Sequence, residues 1–388
     1  MFPQAPIDAV LKAGIANRNV PGVTAAVTSR DGMLYEAGFG ERCLGEGTAM
    51  TVDTVGWIAS MTKAITGTAV MQLVEQGRLD LDAPASAWAP YLGEVQVLEG
   101  FGAGGRPLTR APKRAITMRH LLTHSAGFGY PNWNEDIQRY AEIEVLPVAD
   151  SGDIRAFMTP LVFDPGERWL YSIGIDWAGK IVEAVSGKTL GAYLQEAIFE
   201  PLGMVSTGFR ITPAMRARLA RVHRRQNGAL IPIDMELRQD PPSENGGGGL
   251  YSTVGDYLKF IQMILNGGTG NGQRVLQDET VRMMSRNQMG DCRVTKLPTF
   301  NAEMSLDAEF FPGIPKTWGL TFMLNTEAAP TGRSANSLAW AGLTNSYYWI
   351  DPEKGIGGAF MSQVLPFVDE QALALYLDFE TAVYDNLC

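Results

Sequence analysis

The spacing of apolar residues predicts a helix followed by a hairpin of two strands at the start of the chain. Apolar residues recur at helical spacing at Ile7, Val10, Leu11 and Ile15. Two apolar runs then flank Asp31-Gly32, a dipeptide that suits the tight turn of an antiparallel hairpin. The chain therefore begins with an amphipathic helix and the first strands of an antiparallel sheet.

The rest of the chain divides into a helical stretch and a second group of strands. Residues 79–190 show helix-like segments interrupted by Pro and Gly, with few strand patterns. Short apolar runs return near the C-terminus in KTWGLTFML, SLAWAGL, NSYYWI and IGGAFMSQVL. A final helical pattern follows Asp369, which is placed to cap it.

This order predicts an α+β fold, with an antiparallel sheet domain flanked by helices and an inserted all-α domain. Residues 1–78 and 191–388 are expected to form the sheet domain from both chain ends. Residues 79–190 are expected to form the insert. We expect a functional site where the two domains meet.

Composition and charge narrow the classes of function. The 388 residues are 45% apolar and carry a formal net charge of −10, which disfavours nucleic acid as a partner. Three cysteines, Cys43, Cys292 and Cys388, make a disulfide framework improbable and are compatible with a reducing cytoplasm. The N-terminal segment lacks the pattern of a signal peptide, and no run is long enough to span a membrane. A cytoplasmic protein is expected.

Several hydrolytic and ligand-binding motifs are absent or incomplete. No serine lies in G-x-S-x-G, which excludes the nucleophile elbow of α/β-hydrolases. His120 and His124 lie four residues apart but lack further ligands for a metal, so capping or packing of a helix explains them better. The run Gly246–Gly249 has no following Lys-Ser or Lys-Thr, which favours a tight loop over a phosphate site.

Ser60 and Lys63, in WIASMTKAIT, form the one S-x-x-K pair of the sequence. At a spacing of three on a helix, the two side chains share a face. A helix N-terminus adds a positive potential and free N–H groups, which favour release of the lysine proton and stabilise an oxyanion. The pair is therefore a candidate nucleophile and base, against the alternative of a capping serine and a solvated lysine.

The surrounding segments resemble those of the serine β-lactamase and penicillin-binding superfamily. They match its class C-like branch, specifically family VIII carboxylesterases, and some stretches look like the acyltransferase of lovastatin-type polyketides. The matching segments are WIASMTK, GRLDLDAP, ITMRHLLTHSAGFGY, PGERWLYSIGIDWAGK, EPLGM, GGGGLYST and YWIDPEKG. The resemblance implies a β-lactamase-like fold and an acyl-enzyme on Ser60.

The resemblance also implies a catalytic tyrosine, and two tyrosines compete for that role. Tyr130 begins a Tyr-Pro-Asn triplet but belongs to the LLTHSAGFGY segment, whereas Tyr171 follows PGERWL as the family motif does. Tyr171 is therefore expected to move protons, with its phenolate stabilised by Lys63. Ile173 stands where β-lactamases have an asparagine and offers no hydrogen bond to a β-lactam amide.

The family's Lys-Thr-Gly element is absent, and Trp340-Ala341-Gly342 resembles the Trp-x-Gly of family VIII esterases. An indole in place of a lysine favours uncharged acyl or alcohol groups. Gly342 permits close approach of the substrate to the backbone. By resemblance, the N–H groups of Ser60 and Leu343 form the oxyanion hole.

We therefore expect a serine carboxylesterase that acts on small uncharged esters, with short acyl chains, and needs neither a metal nor a cofactor. Three alternatives remain open at this point. They are an acyltransferase that uses an alcohol in place of water, a β-lactamase or peptidase, and an inert binding protein on the same fold. The expected partner is a small ester; the oligomeric state is not indicated.

Overall fold

A computed structural model describes residues 2–18, 20–148 and 151–387, and it follows the predicted order of elements. Cys388 lies outside the described residues. The strands are β1 (Gly22–Ser29), β2 (Met33–Gly40), β3 (Gly56–Trp57), β4 (Val97–Phe101), β5 (Pro107–Arg110), β6 (Val222–Gln226), β7 (Ala229–Ile233), β8 (Tyr251–Ser252), β9 (Thr269–Gly270), β10 (Gln273–Arg274), β11 (Lys316–Trp318), β12 (Met323–Asn325), β13 (Leu338–Gly342), β14 (Ser346–Asp351), β15 (Ile356–Met361) and β16 (Val364–Leu365).

The α-helices include the predicted first and last helices. They are α1 (Gln4–Arg18), α2 (Thr62–Glu75), α3 (Met118–Leu122), α4 (Glu135–Ile143), α5 (Gly174–Ser186), α6 (Leu190–Leu194), α7 (Glu200–Leu202), α8 (Pro213–Arg216), α9 (Val254–Leu265), α10 (Asp278–Met284) and α11 (Glu370–Asp385). The Asp369 side chain accepts a hydrogen bond from the Ala372 N–H, which confirms it as the cap of α11.

The main sheet is built from both chain ends, as predicted. Its seven strands lie in the order β11-β12-β13-β14-β15-β1-β2, and each neighbouring pair is antiparallel. The hairpin between β1 and β2 turns at Asp31-Gly32, and Gly32 has the positive φ of 153°. Strand β15 joins the two groups because it pairs with β14 on one side and β1 on the other.

Helices cover both faces of this sheet, and alternate side chains of each strand meet different helices. On β14, Tyr347 stacks on Tyr376 of α11 at 4.4 Å between ring centroids. The next residue, Tyr348, contacts Tyr257 of α9 at 5.1 Å on the opposite face. Helix α1 packs against α11, so the first and last helices form one layer.

The segment between residues 79 and 190 contains helices α3, α4 and α5, together with a two-stranded hairpin of β4 and β5. The hairpin is a difference from the all-α insert that the sequence suggested. Helix α5 packs against α2 and α3, and therefore joins this segment to the helix that follows Ser60. The domain bounds at residues 78 and 190 stay a prediction.

No helix among the residues described here is long and apolar enough to cross a lipid bilayer. Cys43 is buried and Cys292 partly buried, and both are free thiols. The N-terminal segment that sequence analysis distinguished from a signal peptide is amphipathic helix α1, with Ile7 and Leu11 fully buried.

A buried ion pair connects α11 to the loop before β13. Arg333 and Glu380 are both almost fully buried, and the Arg333 Nε lies 3.0 Å from Glu380 Oε1. The Tyr376 hydroxyl also accepts a hydrogen bond from Arg333 Nη2 at 2.8 Å. Removal of the carboxylate would leave the guanidinium buried without its counter-ion.

We predict that Glu380→Ala lowers the free energy of unfolding by about 3–5 kcal/mol, because one partner of a buried ion pair is lost. Urea denaturation followed by circular dichroism measures this change. The exposed glutamate Glu353, in the turn between β14 and β15, provides the control, and Glu353→Ala should stay within about 0.5 kcal/mol of wild type. Equal free energies of unfolding for Glu380→Ala and Glu353→Ala would contradict a stabilising role of the Arg333–Glu380 ion pair.

Candidate active site

Ser60 lies in a short 3-10 turn, Ala59–Met61, that leads directly into α2. The turn follows β3, and Ser60 is partly exposed whereas Ala59 is buried. Ala59 has a φ of 42°, a conformation that a residue with a side chain adopts at an energetic cost. The prediction that Ser60 opens a helix is therefore confirmed, and a strained residue precedes it.

The Lys63 side chain is 1% exposed, and three oxygen atoms surround its nitrogen. The Nζ lies 3.2 Å from Ser60 Oγ, 3.1 Å from the Tyr130 hydroxyl and 2.6 Å from the Gly247 carbonyl oxygen. Ser60 and Lys63 thus share a helix face and a hydrogen bond, as their spacing predicts. Lys63 is a buried group in contact with the candidate nucleophile.

The glycine run Gly246–Gly249 forms a loop that binds the nucleophile segment through its carbonyl oxygens. Thr66 Oγ1 donates to Gly246 O at 2.7 Å, Lys63 Nζ to Gly247 O, and Trp57 Nε1 to Gly248 O at 2.7 Å. A Cβ on Gly247 would lie 2.4 Å from an oxygen of Asp176, so a side chain has no room there. The tight-loop interpretation is confirmed, and the loop positions Lys63.

Tyr130, which was passed over in favour of Tyr171 as the catalytic tyrosine, lies in the site beside Lys63. Its hydroxyl accepts from Lys63 and donates to Asp176 Oδ2 at 2.9 Å. Burial, the charge of Asp176 and the neighbouring Tyr171 raise the pKa of Tyr130 well above its usual value. Tyr130 is therefore a protonated phenol and is not suited to be the base.

Asp176, in the first turn of α5, is a buried carboxyl group that sequence analysis missed. It is 1% exposed, and its Oδ1 accepts the Gly247 N–H at 2.7 Å. Burial raises the pKa of Asp176 above its usual value, while the Lys63 charge, Tyr130 and the Gly247 N–H oppose that rise. The sequence signal was the short run Ile173–Asp176, where a charged residue interrupts an apolar helix start.

Tyr171 is 2% exposed, and its ring centroid lies 4.8 Å from Lys63 Nζ. Its hydroxyl accepts the indole N–H of Trp340 at 3.0 Å. A hydrogen bond to the oxygen and a nearby cation both stabilise a phenolate. The indole N–H that Trp340 brings in place of the family's lysine is therefore bound to Tyr171.

Behind Tyr171 lies the buried imidazole of His124, with ring centroids 4.7 Å apart. Its Nδ1 accepts the Ser172 N–H at 3.2 Å, which places the ring proton on Nε2. Burial and the charge of Lys63 lower the pKa of His124 well below its usual value. The neutral ring packs against Tyr171, in keeping with the expected packing role.

His120 caps α3, because its side chain and that of Thr117 exchange hydrogen bonds with each other's backbone N–H groups. The expectation of a capping histidine is confirmed. Within residues 2–18, 20–148 and 151–387, no cluster of three or more His, Cys, Asp or Glu side chains could hold a metal ion.

The end of β13 runs alongside the turn that carries Ser60. A Cβ on Gly342 would lie 2.4 Å from the Ile58 carbonyl oxygen, which shows how closely the two backbones approach. Thr344 Oγ1 donates to the Trp57 carbonyl at 3.0 Å and fixes this contact. Leu343 is partly exposed and lies between these residues, so its predicted role in an oxyanion hole remains a prediction.

Trp340 borders two small cavities. Aromatic and apolar side chains dominate both linings, among them Phe310 and Met323, which the two cavities share. One basic residue reaches each cavity: Arg333 is paired with Glu380, and Lys316 donates to the carbonyls of Phe311 and Ile314.

Comparison with known proteins identifies the family of this chain. The beta-lactamase family model matches residues 7–382. The chain belongs to the beta-lactamase family. Its resemblance to that superfamily and to lovastatin-type acyltransferases, inferred from motifs, is confirmed.

Relatives in this family include both an esterase and acyltransferases. The lovastatin esterase of Penicillium rubens is 31% identical over 95% of this chain and 95% of its own length. The monacolin J acid methylbutanoyltransferase of Aspergillus terreus is 30% identical over 97% of this chain and 95% of its own length. A simvastatin synthase structure from Aspergillus terreus superposes with a TM-score of 0.84 at 30% identity, covering 98% and 94% of the two chains.

We predict that Gly342→Ala lowers kcat/KM at least tenfold, because the added Cβ pushes β13 away from the Ser60 turn and small displacements of a site have large kinetic effects. Steady-state hydrolysis of p-nitrophenyl butyrate measures the loss. Gly255, in α9, has no atom closer than 4.0 Å to an added Cβ, so Gly255→Ala serves as the control and should keep wild-type activity. Wild-type activity of Gly342→Ala would show that the close approach is dispensable.

Proposed function

We propose that this protein is a serine carboxylesterase that hydrolyses small, uncharged esters through an acyl-enzyme on Ser60. The observation that carries the proposal is the hydrogen bond between Ser60 Oγ and the buried Lys63 nitrogen. A serine hydroxyl becomes a nucleophile when an adjacent base takes its proton. The esterase and acyltransferase relatives support chemistry of this kind.

In the proposed reaction, neutral Lys63 accepts the Ser60 proton while the Ser60 oxygen attacks the ester carbonyl carbon. The N–H groups of Ser60 and Leu343 are proposed to bind the resulting oxyanion. The C–O bond to the alcohol then breaks, and Tyr171 gives its proton to the leaving alkoxide. Lys63 returns a proton to the Tyr171 phenolate, and water repeats the sequence to release the acid.

Tyr171 suits proton delivery to the leaving group because its phenolate would be stabilised from two sides. The Trp340 N–H already donates to its oxygen, and Lys63 lies against its ring. Tyr130 donates its only proton to Asp176, so it has none to give to a substrate. The two tyrosines therefore have different proposed roles.

The surroundings of the site favour a compact acyl group without charge. Ile173 is buried at the start of α5 and brings no hydrogen-bonding side chain. Trp340 contributes an apolar face next to two small cavities.

A β-lactamase would need anchors for an amide and a carboxylate, so we expect p-nitrophenyl butyrate to be hydrolysed and nitrocefin to remain intact.

A second candidate is an acyltransferase that uses an alcohol in place of water. The names of the methylbutanoyltransferase relatives favour this possibility, because the same acyl-enzyme would serve both reactions. Competition between water and a panel of secondary alcohols, with products separated by chromatography, distinguishes them. Predominant ester formation at millimolar alcohol would assign the transfer reaction.

One prediction of the proposed function concerns Ser60. A fluorophosphonate probe should label wild type at one serine, whereas Ser60→Ala should neither be labelled nor hydrolyse p-nitrophenyl butyrate above about 10⁻³ of the wild-type rate. Ser186→Ala, at the end of α5, is the control and should be labelled like wild type. Unchanged labelling of Ser60→Ala would assign the nucleophile elsewhere.

Another prediction separates the two tyrosines by the leaving group. Tyr171→Phe should reduce kcat about 10²-fold or more for ethyl butyrate, because an alkoxide needs the phenolic proton. The reduction should be much smaller for p-nitrophenyl butyrate, whose phenolate leaves without protonation. Tyr130→Phe should reduce both rates by the same factor. If Tyr171→Phe reduces the rates for both esters by the same factor, Tyr171 is not the proton donor to the leaving group.

A further inference from the structure

Asp176 does not touch Ser60, yet it contacts both groups that hold Lys63. One carboxyl oxygen accepts the Tyr130 hydroxyl at 2.9 Å, and the other accepts the Gly247 N–H at 2.7 Å. Tyr130 and the Gly247 carbonyl are in turn the acceptors of Lys63, at 3.1 and 2.6 Å. The four residues form a closed ring of hydrogen bonds around the lysine nitrogen.

The direction of each hydrogen bond in this ring follows from the donors available. A carboxylate only accepts, so the single proton of Tyr130 points to Asp176. The Tyr130 oxygen can then only accept from Lys63, and the Gly247 carbonyl is always an acceptor. Two N–H groups of Lys63 are thereby committed to these two partners.

A neutral lysine amine has two N–H groups and one lone pair. With both N–H groups committed, the lone pair faces the third neighbour of the nitrogen, which is Ser60 Oγ at 3.2 Å. We infer that Asp176 is the positioning residue that sets the direction of the Tyr130 hydrogen bond and thereby turns the Lys63 lone pair toward Ser60. This inference rests on the proposed function and adds a residue to it.

The opposite arrangement would disable the lysine. If the Tyr130 proton pointed to Lys63, it would occupy the lone pair that Ser60 needs. An asparagine at position 176 favours that arrangement, because its amide oxygen would accept the Gly247 N–H and its NH₂ would donate to Tyr130. Asp176→Asn therefore reverses the hydrogen bond between Tyr130 and Lys63, while the side chain at position 176 keeps nearly the same shape.

The Asp176 charge has a second, measurable consequence. The titratable groups that face Lys63 are Asp176, Tyr130, Tyr171 and His124, and Asp176 is the acidic group among them. Protonation of this carboxyl group would release the Tyr130 hydroxyl from its acceptor, and burial raises the pKa of Asp176 above its usual value. The kcat profile should therefore contain an acid limb that belongs to Asp176 and that Asp176→Asn lacks.

The test compares Asp176→Asn with wild type and with Asp136→Asn, an exposed aspartate in the first turn of α4. Asp176→Asn should lower kcat for p-nitrophenyl butyrate about 10²-fold with little change in KM, and remove the acid limb that belongs to Asp176. Asp136→Asn should match wild type in kcat, KM and pH profile. In the Tyr130→Phe background, Asp176→Asn should lower kcat less than about threefold, because the two residues act together.

A wild-type kcat and pH profile for Asp176→Asn, or equal losses in both backgrounds, would overturn the inference. If Asp176→Asn does not fold, Tyr130→Phe decides, because it keeps the carboxylate and Gly247 in place, and wild-type kcat in that variant would overturn the inference. Fluorophosphonate labelling of wild type distinguishes the failure of this inference from the failure of the proposed function. If Ser60 is labelled but Asp176→Asn behaves like wild type, only the inference on Asp176 fails; if Ser60 is not labelled, the proposed function fails.

Discussion

A lysine nitrogen buried beside a serine needs oxygen atoms around it, and much of this structure supplies them. Lys63 is 1% exposed, and two of its three oxygen neighbours come from distant parts of the chain. Ser60 lies on the same helix face, Tyr130 follows α3, and Gly247 precedes α9. An amine in such surroundings has few alternative hydrogen bonds, so its lone pair and protons have defined directions.

The fold brings these parts together through close backbone contacts that only glycine allows. The Gly247 backbone lies against the Asp176 carboxyl group, and Gly342 lies against the carbonyl before the serine turn. Helix α5 carries Asp176 and packs on α2, which carries Lys63. The sheet built from both chain ends holds β13 beside Ser60, so the site depends on contacts between residues hundreds of positions apart.

Local patterns predicted the parts of the molecule that depend on local physics. The hairpin at Asp31-Gly32, the cap at Asp369 and the pairing of Ser60 with Lys63 follow from turn chemistry and helical spacing. The resemblance of the motifs around Ser60 to known sequences identified the family. Tyr130 was passed over for Tyr171, and Asp176 was missed. Tyr130 contacts Lys63 over 67 residues, and Asp176 reaches it only through Tyr130 and Gly247. The direction of the Trp340 N–H likewise depends on its contact with Tyr171. No local pattern records such contacts.

The central claim is that Ser60 carries the acyl group during the reaction. Rapid acid quench of the wild-type protein with p-nitrophenyl butyrate, followed by intact-mass measurement and peptide mapping, tests it directly. The account predicts a mass increase of one butanoyl group in the peptide that contains Ser60, with none in Ser60→Ala. Turnover of the ester with the butanoyl group on another residue, or with no acylated protein at any quench time, would contradict it.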